Sequence, residues 1–142
     1  MLVLFRLLRG DMMLFPALVE IDADGSASGY FPDVTGCYFA GDTPEQTLQD
    51  AQSALHAHFE LMAEKGLLIP EPAQHWQQEF SQPGVWIYVD IDVTRYLGKS
   101  ERINITMPHL LIEKIDKMVS NNARYSSRSH FLAEAARKAL LS

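Results

Sequence analysis

Arg102-Ile103-Asn104-Ile105-Thr106-Met107-Pro108 alternates polar and apolar residues with a period of two, and two amphipathic helical patterns follow it to residue 142. So short a strand cannot bury Ile103, Ile105 and Met107 by itself. It must pair with a second strand, most simply its own copy in another chain. The opposite face then carries Arg102, Asn104 and Thr106. A two-stranded ribbon presenting such side chains fits the major groove of DNA, where Arg reads guanine and Asn reads adenine. These three residues are the expected base-reading set.

Downstream, Pro108 opens a helix whose Leu111, Ile112, Ile115, Met118 and Val119 fall on one side. Asn121 and Asn122, which tolerate left-handed backbone, are expected to close it. Ser126 or Ser127 caps a second helix, with Phe131, Leu132, Ala135, Ala136, Ala139 and Leu140 expected beneath it. Two such short helices hold too little core alone. A dimer core of Ile103, Ile105, Met107, Ile115, Phe131 and Leu132 would complete it, which makes dimerisation a condition for folding. The start of the second helix, with Ser126, Ser127 and Arg128, and Lys99 ahead of the strand, are the expected phosphate contacts.

Charge divides the chain at the same place. Residues 1 to 94 hold three Lys+Arg against fourteen Asp+Glu, a net of −11, and residues 95 to 142 hold nine against four, a net of +5. A basic segment supplies the phosphate attraction behind DNA affinity, and an acidic one repels the same backbone. The two halves therefore have different ligands. At 142 residues and 47% hydrophobic content, the chain suits one compact domain plus a small appended module. Its single Cys37 allows neither an intrachain disulfide nor a cysteine-rich zinc site, so the expected compartment is the cytoplasm. The apolar opening, interrupted by Arg6, is too short for a membrane span and lacks a small-residue cleavage site. Residues 1 to 13 are read as an N-terminal extension.

The acidic half reads as three short strands, a helix and a last strand. Leu14 to Ile21 is β-prone and ends in Asp22-Ala23-Asp24-Gly25, a hairpin signal. A second strand returns through Tyr30 and Phe31, although Ser26-Ala27-Ser28-Gly29 is poor in β-formers, and a third runs from Cys37 to Ala40. Thr43-Pro44-Glu45-Gln46 combines an N-cap, Pro at the first helical position and Gln at the capping-box position. Leu48, Ala51, Leu55, Phe59 and Met62 form the face expected to cover the sheet, and Gly66 stops the helix. A connection around Trp76 leads to a strand from Val85 to Val93.

Asp24-Gly25, Phe31-Pro32-Asp33, Gly36-Cys37, Gly41-Asp42-Thr43-Pro44-Glu45 and Gly66 with Ile69-Pro70, in that order, resemble the HicB-type antitoxins of toxin-antitoxin pairs. The resemblance covers residues 14 to 72. It implies an α+β chain with a truncated ribonuclease-H-like antiparallel sheet over residues 14 to 93 that binds and blocks a HicA-like RNase toxin. A linker follows over 94 to 101, then a ribbon-helix-helix DNA-binding and dimerisation domain over 102 to 142. Asp22, Asp24 and Asp33 are the candidate toxin contacts, and a net −11 surface suits a basic partner. Family members usually carry Gly before the aromatic of the inter-helix turn, where this chain has Arg124 before Tyr125.

Plainer readings account for the remaining chemistry-bearing residues. His56 and His58 stand two apart on a helix, so they point apart and cannot share a metal. Ser126 and His130 lack the orienting acid and oxyanion site of a triad, and capping explains them better. Two of Asp22, Asp24 and Asp33 occupy turn positions that favour Asp, which leaves a Mg²⁺-dependent nuclease as a lesser alternative. Phe31, Trp76, Trp86 and Tyr88 are read as core or interface. The expectation is a non-enzymatic antitoxin without cofactor, a homodimer that binds both a toxin and operator DNA. A stand-alone ribbon-helix-helix regulator is the principal alternative.

Overall fold

The computed structural model describes residues 12–73 and 84–141; the expected N-terminal extension up to residue 11 and the connection around Trp76 lie outside them. Four antiparallel strands, β1 (Met12–Ile21), β2 (Ala27–Tyr30), β3 (Tyr38–Gly41) and β4 (Val85–Asp92), form one sheet in the order β3-β2-β1-β4. Helix α1 (Pro44–Glu64) lies between β3 and β4 in sequence, and α2 (His109–Asn121) and α3 (Arg128–Leu141) follow. The chain divides into two compact units, with the boundary between Gly98 and Lys99. Met12 and Met13 pair with Asp92 and Ile91, so the first strand begins two residues inside the expected extension.

The hairpin signal becomes a three-residue loop. Asp22 and Ser26 close it, with the Asp22 N–H donating to the Ser26 carbonyl at 2.8 Å, and Gly25 supplies the left-handed residue at φ 91°. Asp24 fastens the loop by accepting from the Ser26 N–H at 3.0 Å and hydroxyl at 2.6 Å, which holds its carboxyl below the usual range. At the next corner Phe31, Val34 and Cys37 turn their side chains into the core. Burial pushes the Cys37 thiol up to about 11, so it is inert packing.

The small residues of β2 have a steric reason. Gly29 pairs with Val19 and Phe39 on the helix-facing side, and a β-carbon there would stand 2.6 Å from the Leu18 carbonyl oxygen and 2.6 Å from the Phe39 ring. Phe39 uses the space above the glycine, so the strand is not weak but shaped to receive a ring. Gly29→Ala is expected to cost roughly 1–3 kcal/mol by overpacking, seen as a lower melting temperature of the acidic unit.

Two of the three devices at the start of α1 operate as expected, and the third is displaced by one residue. Thr43 accepts from the Gln46 N–H at 3.2 Å, Pro44 is the first helical residue, and the Gln46 side-chain oxygen accepts from the Asp42 N–H at 3.2 Å, one residue earlier than a capping box requires. Thr47, Ala51, Leu55 and Phe59 are the buried positions, while Leu48 is 46% exposed, contrary to the expected face. The shift arises at Gly41, where a β-carbon would sit 2.4 Å from the Thr47 nitrogen: the missing side chain lets the first turn press against β3 through Thr47. Phe15 and Phe59 meet edge to face at 5.3 Å in the centre of the core. Gly66, at φ 69°, ends the helix as expected. At the free edge of the sheet, the Asp50 carboxylate of α1 accepts from the Ala40 N–H of β3 at 2.9 Å.

The expected linker is half structured. Thr94–Tyr96 forms a 3-10 turn capped by Asp92, which accepts from the Thr94 N–H at 3.0 Å. Tyr96 is buried, packs on Phe59 at 6.0 Å and places its hydroxyl 2.7 Å from His56 Nδ1. Residues 94–97 therefore belong to the acidic unit, and only 98–101 remain of the predicted tether, beginning at Gly98 with φ 81°.

In the basic unit residues 99–108 form neither helix nor strand. The strand expected at 102–107 does not form in the single chain: a strand exists through its neighbour's hydrogen bonds, and none of the described strands pairs with it. Helix α2 is capped by Pro108, whose carbonyl accepts from Leu111 and Ile112. Asn122 does not adopt left-handed backbone. It is extended at φ −136°, and its side chain accepts from the Arg124 N–H at 3.0 Å to make the turn. Ser127 caps α3, accepting from the His130 N–H at 3.1 Å.

Candidate nucleic-acid and protein interfaces

Arg102, Asn104 and Thr106 are exposed, and so are the apolar residues that alternate with them: Ile103 is 74% and Ile105 57% exposed, with Met107 half-buried. Of the expected dimer core only Ile115 is fully buried, and Phe131 and Leu132 are half-buried; from the expected helix faces Leu111, Met118, Ala135, Ala136, Ala139 and Leu140 lie open. Among the described residues of this unit the two helices pack against each other. Large apolar side chains left open in this density mark an incomplete core.

The turn between α2 and α3 holds the expected phosphate contacts in a different state from that predicted. Arg128 is already engaged: its Nε donates to Asp116 Oδ1 at 2.9 Å and its Nη2 to Oδ2 at 2.7 Å. This fork holds the Asp116 carboxyl below its usual range and raises the Arg128 guanidinium. Arg124 faces Glu134 at 3.6 Å. Ser126 and His130 meet as neighbours in the turn: the Ser126 N–H donates to His130 Nδ1 at 3.2 Å, and the Ser126 hydroxyl lies 3.4 Å from the same nitrogen. Lys99 is exposed at the start of the unit. Neither ion pair spans a helical repeat in sequence, so no pattern announces it.

In the acidic unit the three singled-out carboxylates are turn-makers. Asp22 and Asp24 close the first hairpin, and Asp33 Oδ2 accepts from the Ala73 N–H at 3.0 Å, fastening the segment after α1. Among the described residues no group of three His, Cys, Asp or Glu side chains is placed to hold a metal ion. His56 is a packing residue against Tyr96, and no helix among the described residues is long and apolar enough to cross a membrane.

Residues 15–136 match the family model described as HicB-like antitoxin of bacterial toxin-antitoxin system. The chain belongs to the HicB-like antitoxin family. It is 37% identical over 134 residues to an uncharacterized 14.9 kDa protein of the rep-hol intergenic region of Haemophilus phage HP1 (strain HP1c1), covering 92% of this chain and 99% of the relative. Among solved structures, the crystal structure of antitoxin HicB3 is 33% identical with a TM-score of 0.80, over 92% of this chain and 99% of that one. The Burkholderia pseudomallei antitoxin HicB is 29% identical with a TM-score of 0.65, over 90% and 98%. The α+β architecture, which among the described residues is a four-stranded antiparallel sheet with three helices, thus matches HicB antitoxin structures nearly end to end.

Proposed function

We propose that this chain is an antitoxin whose acidic unit, a truncated ribonuclease-H-type sheet, binds and blocks a HicA-like RNase. In the same reading, residues 102–107 pair with their copy in a second chain to make a ribbon-helix-helix dimer that represses its own operon. The observation that carries the second half is the alternation of exposed Ile103 and Ile105 with Arg102, Asn104 and Thr106. One face needs burial and the other carries base-reading groups. Family membership carries the first half, together with the −11 charge of residues 1 to 94. The chain itself performs no chemistry in this reading, and no cofactor takes part.

Co-purification with the product of the adjacent gene, followed by an RNase assay with and without this chain, tests the antitoxin half. The expected result is a stable complex with silenced RNase activity. An operator-binding protein that forms no such complex would instead be a stand-alone regulator.

The Arg128–Asp116 pair modifies the expected phosphate grip. A carboxylate holding the guanidinium offsets the charge that a phosphate would use, so Asp116→Asn should tighten operator binding severalfold and steepen its salt dependence by about one phosphate contact. Fluorescence anisotropy across a salt series measures both. An equal gain in Asp116→Asn/Arg128→Ala, whose net charge is that of the wild type, would assign the effect to loss of the Asp116 carboxylate itself and remove Arg128 from the DNA contacts.

A further inference from the structure

The face of the sheet turned away from α1 carries one aromatic row. Strand register sets Trp86, Leu18, Tyr30 and Tyr38 side by side across all four strands. Leu18 is buried and Tyr30 half-buried, but Tyr38 on the edge strand is 71% exposed, its ring 6.3 Å from that of Tyr30. The two rings, Leu18 and Gly29 bound an apolar groove of about 500 Å³ with Glu20 and Asp50 at its rim. A second, polar cleft of about 700 Å³ continues from it through Ser28, Ala40 and Asp50 to Asp22 and Asp42.

The charge around this groove selects its occupant. From Met12 to Glu64 the chain has nine carboxylates and neither a Lys nor an Arg. Nucleic acid is repelled by such a surface, and so is the same face of a second copy. A basic protein surface is attracted to it: carboxylates at a rim steer a cationic partner and set its register, while a central exposed tyrosine supplies apolar area and a ring face for Lys or Arg.

We infer that the groove between Tyr30 and Tyr38 on the outer face of β2 and β3, with Glu20 at its rim, is where the basic RNase toxin docks. This rests on the antitoxin reading and narrows it to a surface outside the hairpin carboxylates Asp24 and Asp33. Tyr38 anchors the contact, and Glu20 lies on the approach path of the partner's cations.

Titration of the full chain against the HicA-like protein encoded beside it, by calorimetry and by RNase inhibition, tests the assignment. Tyr38→Ala should weaken binding at least tenfold, and Tyr38→Ala/Glu20→Lys at least a hundredfold, with melting unchanged because both side chains face solvent. Glu60→Lys makes the same charge change on α1, which covers the opposite face, and should stay within threefold of wild type. A double variant that binds within threefold of wild type overturns the inference alone. A wild-type chain that binds no such toxin overturns it together with the antitoxin reading. A change in self-association in place of toxin binding also overturns it, because the groove then belongs to a second copy.

Discussion

Arg102→Ala combined with Asn104→Ala is expected to lower operator affinity by about 10³-fold or more while toxin neutralisation persists. Each bidentate side-chain-to-base pair contributes roughly 1–3 kcal/mol of discrimination, and the double substitution removes two per strand. The residual binding should be sequence-blind, carried by the other basic residues of the +5 segment and abolished by salt. Both side chains are exposed in the single chain, so folding should not change. Anisotropy with the operator and a scrambled duplex measures the loss, and an RNase assay measures what is kept. A double variant that still prefers the operator would move base reading away from residues 102–106.

Ile105→Asp should have the larger consequence, because it strikes the condition for assembly. In the single chain Ile105 is 57% exposed and an aspartate there is harmless. In a two-fold ribbon it would be buried twice, each carboxylate costing several kcal/mol without a partner. The expected result is a monomer at micromolar concentration in analytical ultracentrifugation, with operator binding lost. The acidic unit, which has its own core around Phe15, Leu55 and Phe59, should melt as before. A dimer that survives the substitution would place the self-association surface elsewhere.

What could be read from the residues followed how local the controlling interactions are. Thr43, Pro44 and Gln46 act within one turn, so the start of α1 was legible to the residue. The Asp22–Gly25 loop was equally legible because Gly25 needs only its own backbone. Gly29 was misjudged as a weak strand residue, since its value depends on a ring from the neighbouring strand. The buried face of α1 was misplaced at Leu48 because hydrophobicity ranks Leu above Thr, whereas the close approach at Gly41 turns Thr47 inward. Residues 94–97 looked like a tether, being polar and next to Gly98, yet Tyr96 is fastened to His56, forty positions away. For the candidate interfaces the alternation at 102–107 is plain in the residues, but the sequence presents Arg128 as open to phosphate. Its partner Asp116 lies twelve residues back on another helix, beyond any periodic signal. Tyr38 was not singled out, and its strict place in the alternation of β3 was the clue available.

The Asp50 carboxylate on the Ala40 N–H has an effect beyond the geometry of the sheet edge. A bare edge strand is a template on which further strands can add. By occupying one donor of β3 and placing a negative charge beside it, Asp50 discourages runaway strand addition. Strand-on-strand growth between copies of this chain is thereby disfavoured.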